Sequence, residues 1–140
     1  MCLSGHRVVL KTFKKFETKE LYGLIVWIPI LPSDTSLAAL DHAFSDPRLI
    51  EGWDSDRRIG DAFKATLNLR RTAWDVYLVY GQDAIWNGEN PPMPTFWMHQ
   101  LSPLSGADPK LCLDERRFLR VVAEQLNNVS PAVQTHYENQ

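Results

Sequence analysis

Two cysteines in 140 residues, Cys2 and Cys112, are too few for the disulfide framework of a small secreted domain. Positive charge is not in excess either. Fifteen Lys and Arg against seventeen Asp and Glu leave a net charge of −2, so no basic field exists to neutralise phosphates, and nucleic acid is not expected as a partner. Long apolar runs are missing. The longest, Leu24 to Leu31, is broken by Pro29 and falls far short of the roughly 20 residues that span a bilayer, so no membrane span is expected. No charged stretch leading into an apolar segment opens the chain, so no signal peptide is expected on it and the compartment stays open. There is no glycine-rich phosphate loop, nucleophile elbow or pair of acidic metal motifs, and no cofactor is expected. Among His6, His42, His99, His136 and the two cysteines, only Cys2-x-x-x-His6 has the spacing of two ligands on one helix face. Without a second close pair, no metal site is expected.

What remains is the composition of a folded globular chain, 44% hydrophobic and 23% charged, of a length that suits one core. Residues 1–128 are expected to form a single domain. Residues 129–140, polar and interrupted by Pro131, read as a frayed tail. Val9, Phe13 and Phe16 recur at helical spacing opposite Lys11, Lys14 and Lys15, predicting an amphipathic helix over residues 4–19. Leu21 to Ile30 is β-branched and aromatic without polar alternation, which predicts a strand covered on both faces. Hydroxyl and carboxylate caps in Ser33 to Ser36 open a helix carrying Leu37, Leu40 and Phe44 that ends at Asp46-Pro47. Arg48-Leu49-Ile50 reads as a minor strand leading into Trp53. Asp54 or Ser55 then caps a helix with Ile59, Ala62, Phe63 and Leu67 on one face, weakened at Gly60 by about 1 kcal/mol relative to alanine.

Trp74 to Tyr80 is the clearest strand. The turn residues Gly81-Gln82-Asp83 suggest a hairpin whose second arm is Ala84-Ile85-Trp86. Asn87 to Pro94 is a loop, Thr95 to Leu101 a further strand, and Asp114 caps a last helix carrying Leu119, Val122 and Leu126. Helices alternating with strands early, and adjacent strands late, predict an α/β sandwich with a mixed sheet.

Cys2 opens the first helix. A thiol there meets unpaired backbone N–H groups and the positive end of the helix dipole, and both favour thiolate. His6, four residues on, faces the same side, where a protonated imidazole would favour thiolate further. These are the ingredients of a reactive cysteine, set against the plain alternative of a fraying terminus.

A cysteine opening an amphipathic helix, then an apolar strand, a helical crossover, a β-hairpin and a final helix, resembles the thioredoxin-like superfamily over residues 2–127. The resemblance implies a thioredoxin-like three-layer sandwich with a small mixed sheet. Three features depart from that pattern. Gly5 stands where the family has its second cysteine, so Cys2 has no resolving partner. The family's cis-proline has no counterpart in Thr72-Ala73-Trp74-Asp75. Only Met1 precedes Cys2, where the family runs a central strand into the helix. Without that strand, Leu21 to Ile30 and Trp74 to Tyr80 would each face an empty slot with unpaired backbone groups. An upstream start, direct pairing of the two strands, or a strand donated by another chain would solve this. The upstream start, and so an N-terminal truncation, is the expectation carried forward. Exposed strand edges also offer a route to oligomers.

Trp53-Asp54 and Trp74-Asp75 repeat one dipeptide at two element boundaries. Each indole is expected at the core edge with its carboxylate capping or turning the chain, and an acid–base pair is the functional alternative. His99, in a strand, is expected to be a partly buried histidine satisfying a neighbour. By resemblance, the chain is expected to be a redox-inactive or monothiol thioredoxin-fold protein. It would bind a protein, thiol or other ligand through an aromatic surface at Trp53, Asp54, Trp74, Asp75 and Trp97. The alternative is a thiol–disulfide oxidoreductase with Cys2 as nucleophile and His6 tuning it.

Overall fold

The computed structural model describes residues 3–41 and 43–129; Met1, Cys2, His42 and residues 130–140 lie outside the described residues. In chain order the elements are α1 (Leu3–Lys15), β1 (Gly23–Trp27), α2 (Ser36–Leu40), β2 (Leu49–Trp53), α3 (Arg58–Thr66), β3 (Val76–Val79), β4 (Phe96–His99) and α4 (Glu115–Val129), with 3-10 turns at Pro103–Ser105 and Pro109–Leu111. The chain is α/β, but the strands form two two-stranded sheets and not one mixed sheet. β1 and β2 run parallel, Ile25 opposite Glu51, while β3 and β4 run antiparallel, Tyr77 opposite Met98.

β3 and β4 are covered on both faces, and the two core clusters are those faces. Tyr77, Val79, Phe96 and Met98 pack with Val8 of α1 and with Phe118, Val122 and Leu126 of α4. Val76, Leu78 and Trp97 pack on the other side with Phe63, Leu67, Leu69, Ala73, Trp74 and Leu101. Alternate residues of one strand thus serve opposite layers, which is why the sequence there shows no polar alternation. Met98 is fully buried.

The hairpin arm expected at Ala84-Ile85-Trp86 is not a strand. The N–H of Ala84 turns back to the Gly81 carbonyl, Ile85 is 70% exposed, and β3 pairs with Phe96–His99 instead. Phe96 and Met98 fill one layer and Trp97 the other, a two-sided packing that Ala84 to Trp86 could not supply.

The expectation that Leu21 to Ile30 is covered on both faces is also corrected. The strand is confined to Gly23–Trp27, and Leu24 is 72% exposed beside the exposed Ile50 of β2. One face of β1 is covered by α1, where Phe13 Cζ lies 3.0 Å from where a Gly23 Cβ would stand. The helix expected up to Asp46 is only five residues long, started by Thr35, whose Oγ1 accepts from the Ala38 N–H at 3.1 Å.

α3 begins as the sequence suggests. Asp54 Oδ2 accepts from the Ile59 N–H at 2.8 Å, although the residue before the helix is Arg57 in a left-handed conformation, φ 60°. Gly60 is the point of closest packing in α3. A Cβ there would lie 2.7 Å from the Ala73 carbonyl oxygen and 3.0 Å from Ile28 Cδ1, so the helix cost of glycine accompanies a close approach to both strand pairs. Arg48 closes the far end of α1. Its guanidinium donates to the carbonyls of Phe13, Phe16 and Thr18 while forking onto Asp46, a cation placed on the last carbonyls of a helix. α4 starts at the expected cap, with Asp114 Oδ1 accepting from Arg117 N–H at 2.7 Å, and runs through Val129.

Candidate functional site

The first turns of α1 lie at the junction of the two strand pairs. On one side the backbone at buried Gly5 sits directly on Tyr77 of β3, so that any Cβ would overlap the phenol hydroxyl. The hydroxyl donates to Gln100 Oε1 at 2.7 Å, and the Gln100 N–H donates to the Asp75 carbonyl at 2.9 Å. On the other side the His6 ring lies 4.3 Å from that of Phe44. The Phe44 N–H donates to Glu51 Oε1 at 2.7 Å, and Trp27 Nε1–H donates to Glu51 Oε2 at 2.8 Å. One carboxylate of β2 therefore ties the loop that carries Phe44 to β1.

Asp75 is the unusual member. Its φ of 48° puts a non-glycine residue in the left-handed region immediately before β3, a conformation aspartate tolerates at some cost. Its carboxyl is held above the ordinary carboxylate range by burial. Strained backbone and a raised carboxyl pKa concentrate at functional sites, and here they coincide in one residue.

The other candidates are distributed as follows. Cys2 lies outside the described residues. Trp74 and Trp97 come together, half buried against the Leu67–Leu101 cluster, while Trp53 ends β2 on the other strand pair, 36% exposed. Asp54 is engaged as the helix cap of α3. Among the described residues no three His, Cys, Asp or Glu side chains converge as a metal site requires, and no helix is long and apolar enough to cross a membrane.

His99 is 2% exposed. It accepts the Leu101 N–H at Nδ1, 3.1 Å, and makes a second bond from Nε2 to the Asp108 carbonyl, 2.9 Å. Its role is to close the β4 turn.

Sequence reasoning missed Gly5, Phe44, Glu51 and Gln100. The one available signal was a glycine in the first turn of an otherwise amphipathic helix, which marks a close contact. Nothing local pointed to Phe44 or Glu51, whose partners lie 38 and 24 positions away in the chain. Compared with protein-family models, with curated proteins and with solved structures, the chain matches none.

Proposed function

We propose that the chain is a thioredoxin-like α/β protein, redox-inactive or monothiol, that binds a protein partner at the end of the molecule where α1 begins. The order of elements supports this reading: a helix that follows a cysteine in the sequence, a parallel pair joined by a crossover, an antiparallel pair and a closing helix. The observation that carries it is Asp75, a half-buried carboxyl on a left-handed turn at the start of β3, two residues from the tyrosine on which α1 rests. An incoming partner there would meet leading helix amides from one side and a carboxyl poised to hold its proton from the other. With Gly5 in place of a second cysteine, Cys2 can join a partner only through a mixed disulfide.

Alkylation of Cys2 tests the reading, measured across pH in a Cys112→Ser background so that the exposed second thiol does not report. The half-reaction point is expected well below the free-thiol value of about 8.5 and should move on Asp75→Asn. A Cys2 that titrates like free cysteine, with Asp75→Asn leaving it unmoved, would overturn the monothiol form and leave the redox-inactive one.

A further inference from the structure

The loop between β3 and β4 is pinned near both ends. Tyr80 donates from its hydroxyl to the Pro92 carbonyl at 2.8 Å, and Thr66 of α3 donates to the Pro91 carbonyl at 2.9 Å. The Ala84 N–H turns back to the Gly81 carbonyl. Trp86 is held twice. Its Nε1–H donates to the Gly88 carbonyl at 2.7 Å, and its ring stands edge-on to Phe63 of α3 at 6.2 Å between centroids. Between these anchors Asn87, Gly88, Glu89 and Asn90 are all exposed. A Cβ at Gly88 would have no neighbour within 4 Å, and among the described residues no group accepts the Gly88 N–H.

Asn87 therefore has a reactive neighbour. The side-chain amide carbon of an asparagine lies within a five-membered ring's reach of the next residue's backbone nitrogen. The ring closes where that nitrogen is unhindered and free to give up its proton. The other described asparagines each fail one of these conditions. The N–H after Asn68 donates to the Lys64 carbonyl at 2.9 Å. Asn90 is followed by Pro91, whose nitrogen carries no proton. Asn127 and Asn128 lie within α4, where the following N–H groups are committed to the helix ladder. Asn87 is followed by a glycine, which has no side chain to hinder attack and the widest backbone freedom.

We propose that Asn87 is a site of spontaneous deamidation and isomerisation that resets this loop. The Gly88 nitrogen loses its proton to solvent and bonds to Asn87 Cγ, and the Cγ–Nδ2 bond breaks to release ammonia. One water then opens the resulting succinimide. Where water adds at Cγ the product is aspartate. Where it adds at the Asn87 main-chain carbonyl carbon, Gly88 stays joined through Cγ and the product is isoaspartate. Water is the only co-reactant, and nothing is oxidised or reduced.

Either product places a new negative charge beside Glu89. Isoaspartate also lengthens the main chain by one carbon between Trp86 and Gly88, the short span across which the indole reaches the Gly88 carbonyl. That hydrogen bond is lost, and Trp86 is freed from its seat against Phe63. The inference stands apart from the binding reading, because it involves neither Cys2 nor Asp75.

Ageing the full chain in mildly alkaline buffer tests it, with the parent, Gly88→Ala and Trp86→Phe followed by peptide mapping. Isoaspartate is counted by methyl transfer from S-adenosylmethionine with an isoaspartyl methyltransferase. In the parent, conversion is expected at Asn87 ahead of Asn68, Asn90, Asn127 and Asn128. Gly88→Ala adds a methyl group that meets nothing, so it is expected to fold as the parent does and to slow conversion severalfold. Tryptophan emission is expected to change as the parent ages, and to stay constant in Trp86→Phe. Three results would overturn the proposal: conversion no faster at Asn87 than at the helical asparagines, a rate unmoved by Gly88→Ala, or isoaspartate at Asn87 with tryptophan emission unaltered.

Discussion

Substituting Gly5 by alanine puts a methyl group where Tyr77 already stands. In an unobstructed helix interior the change is favourable by about 1 kcal/mol, because alanine is the better helix former. Here the added carbon overlaps the phenol oxygen and comes within 2.8 Å of Cε1. Tyr77 cannot easily give way. Its hydroxyl is bonded to Gln100, and its ring stands edge-on to Phe118 at 6.4 Å between centroids. Swinging the ring out sacrifices a part-buried hydrogen bond, about 0.5–1.5 kcal/mol, and lifting α1 loosens the Val8–Met98 contact layer. Overpacking of this kind costs typically 1–3 kcal/mol, which outweighs the propensity gain at a helix's first turn. Gly5→Ala is therefore expected to be destabilising by about 1–2 kcal/mol net, lowering the urea midpoint by roughly 1 M with an unchanged slope. Tyr77→Leu should cost less in the Gly5→Ala background than in the parent, a coupling that a double-mutant cycle measures directly. A Gly5→Ala protein as stable as the parent, or a cycle that closes additively, would refute the seating of α1 on Tyr77.

Two further outcomes follow from particular contacts. His99→Leu should strand the Leu101 N–H, at about 1–3 kcal/mol for a buried orphan, and remove the ring's bond to the Asp108 carbonyl, which keeps the Leu111 N–H. The thermal midpoint should then fall by on the order of 10 °C, and an unchanged midpoint would show that the ring is not what closes that turn. For Asp75 the sign is set by burial, which raises the folded carboxyl above its ordinary 3.8, so the folded state holds the proton more tightly than the unfolded one. The resulting penalty is absent below the unfolded value and grows as pH rises through the folded one. Asp75→Asn, which keeps access to the left-handed backbone, should be more stable than the parent at pH 7 and should lose that advantage as pH falls toward 3.8. Melting curves in which the two proteins coincide at pH 7, or diverge further in acid, would contradict this.

How much of the molecule could be read locally is clearest where a cap or a period acts within a few residues. The caps at Asp54 and Asp114, and the apolar stripe of α4, bring together groups three to five positions apart, and each sits where the sequence suggests. Within Trp74 to Tyr80 the strand Val76–Val79 was legible for the same reason, although Asp75 turns left-handed just before it. Its partner was not. Gly81-Gln82-Asp83 favoured the nearest segment, but Ile85 and Trp86 remain largely exposed and β3 reaches past them to Phe96–His99. Arg48 read only as part of a minor strand, because the carbonyls it gathers at the end of α1 lie 30 to 35 positions earlier. Of the candidate site, His6 and Asp75 were named from sequence. The phenyl ring beside His6 and the left-handed turn at Asp75 were not, since neither leaves a local pattern.

The amino-acid order by itself determined most of the helices and strands, where most helices begin, and that the chain carries neither an excess of positive charge nor an apolar run of membrane-spanning length. Those properties follow from backbone preferences and from periodicities of two and 3.6, which act over a single turn or pleat. Tertiary structure alone decided that the four strands among the described residues form two separate pairs, and that Gly5 and Gly60 are points of closest approach. Those outcomes depend on which surfaces meet after long loops close, and a stretch of apolar residues states only that it must be buried, not against what.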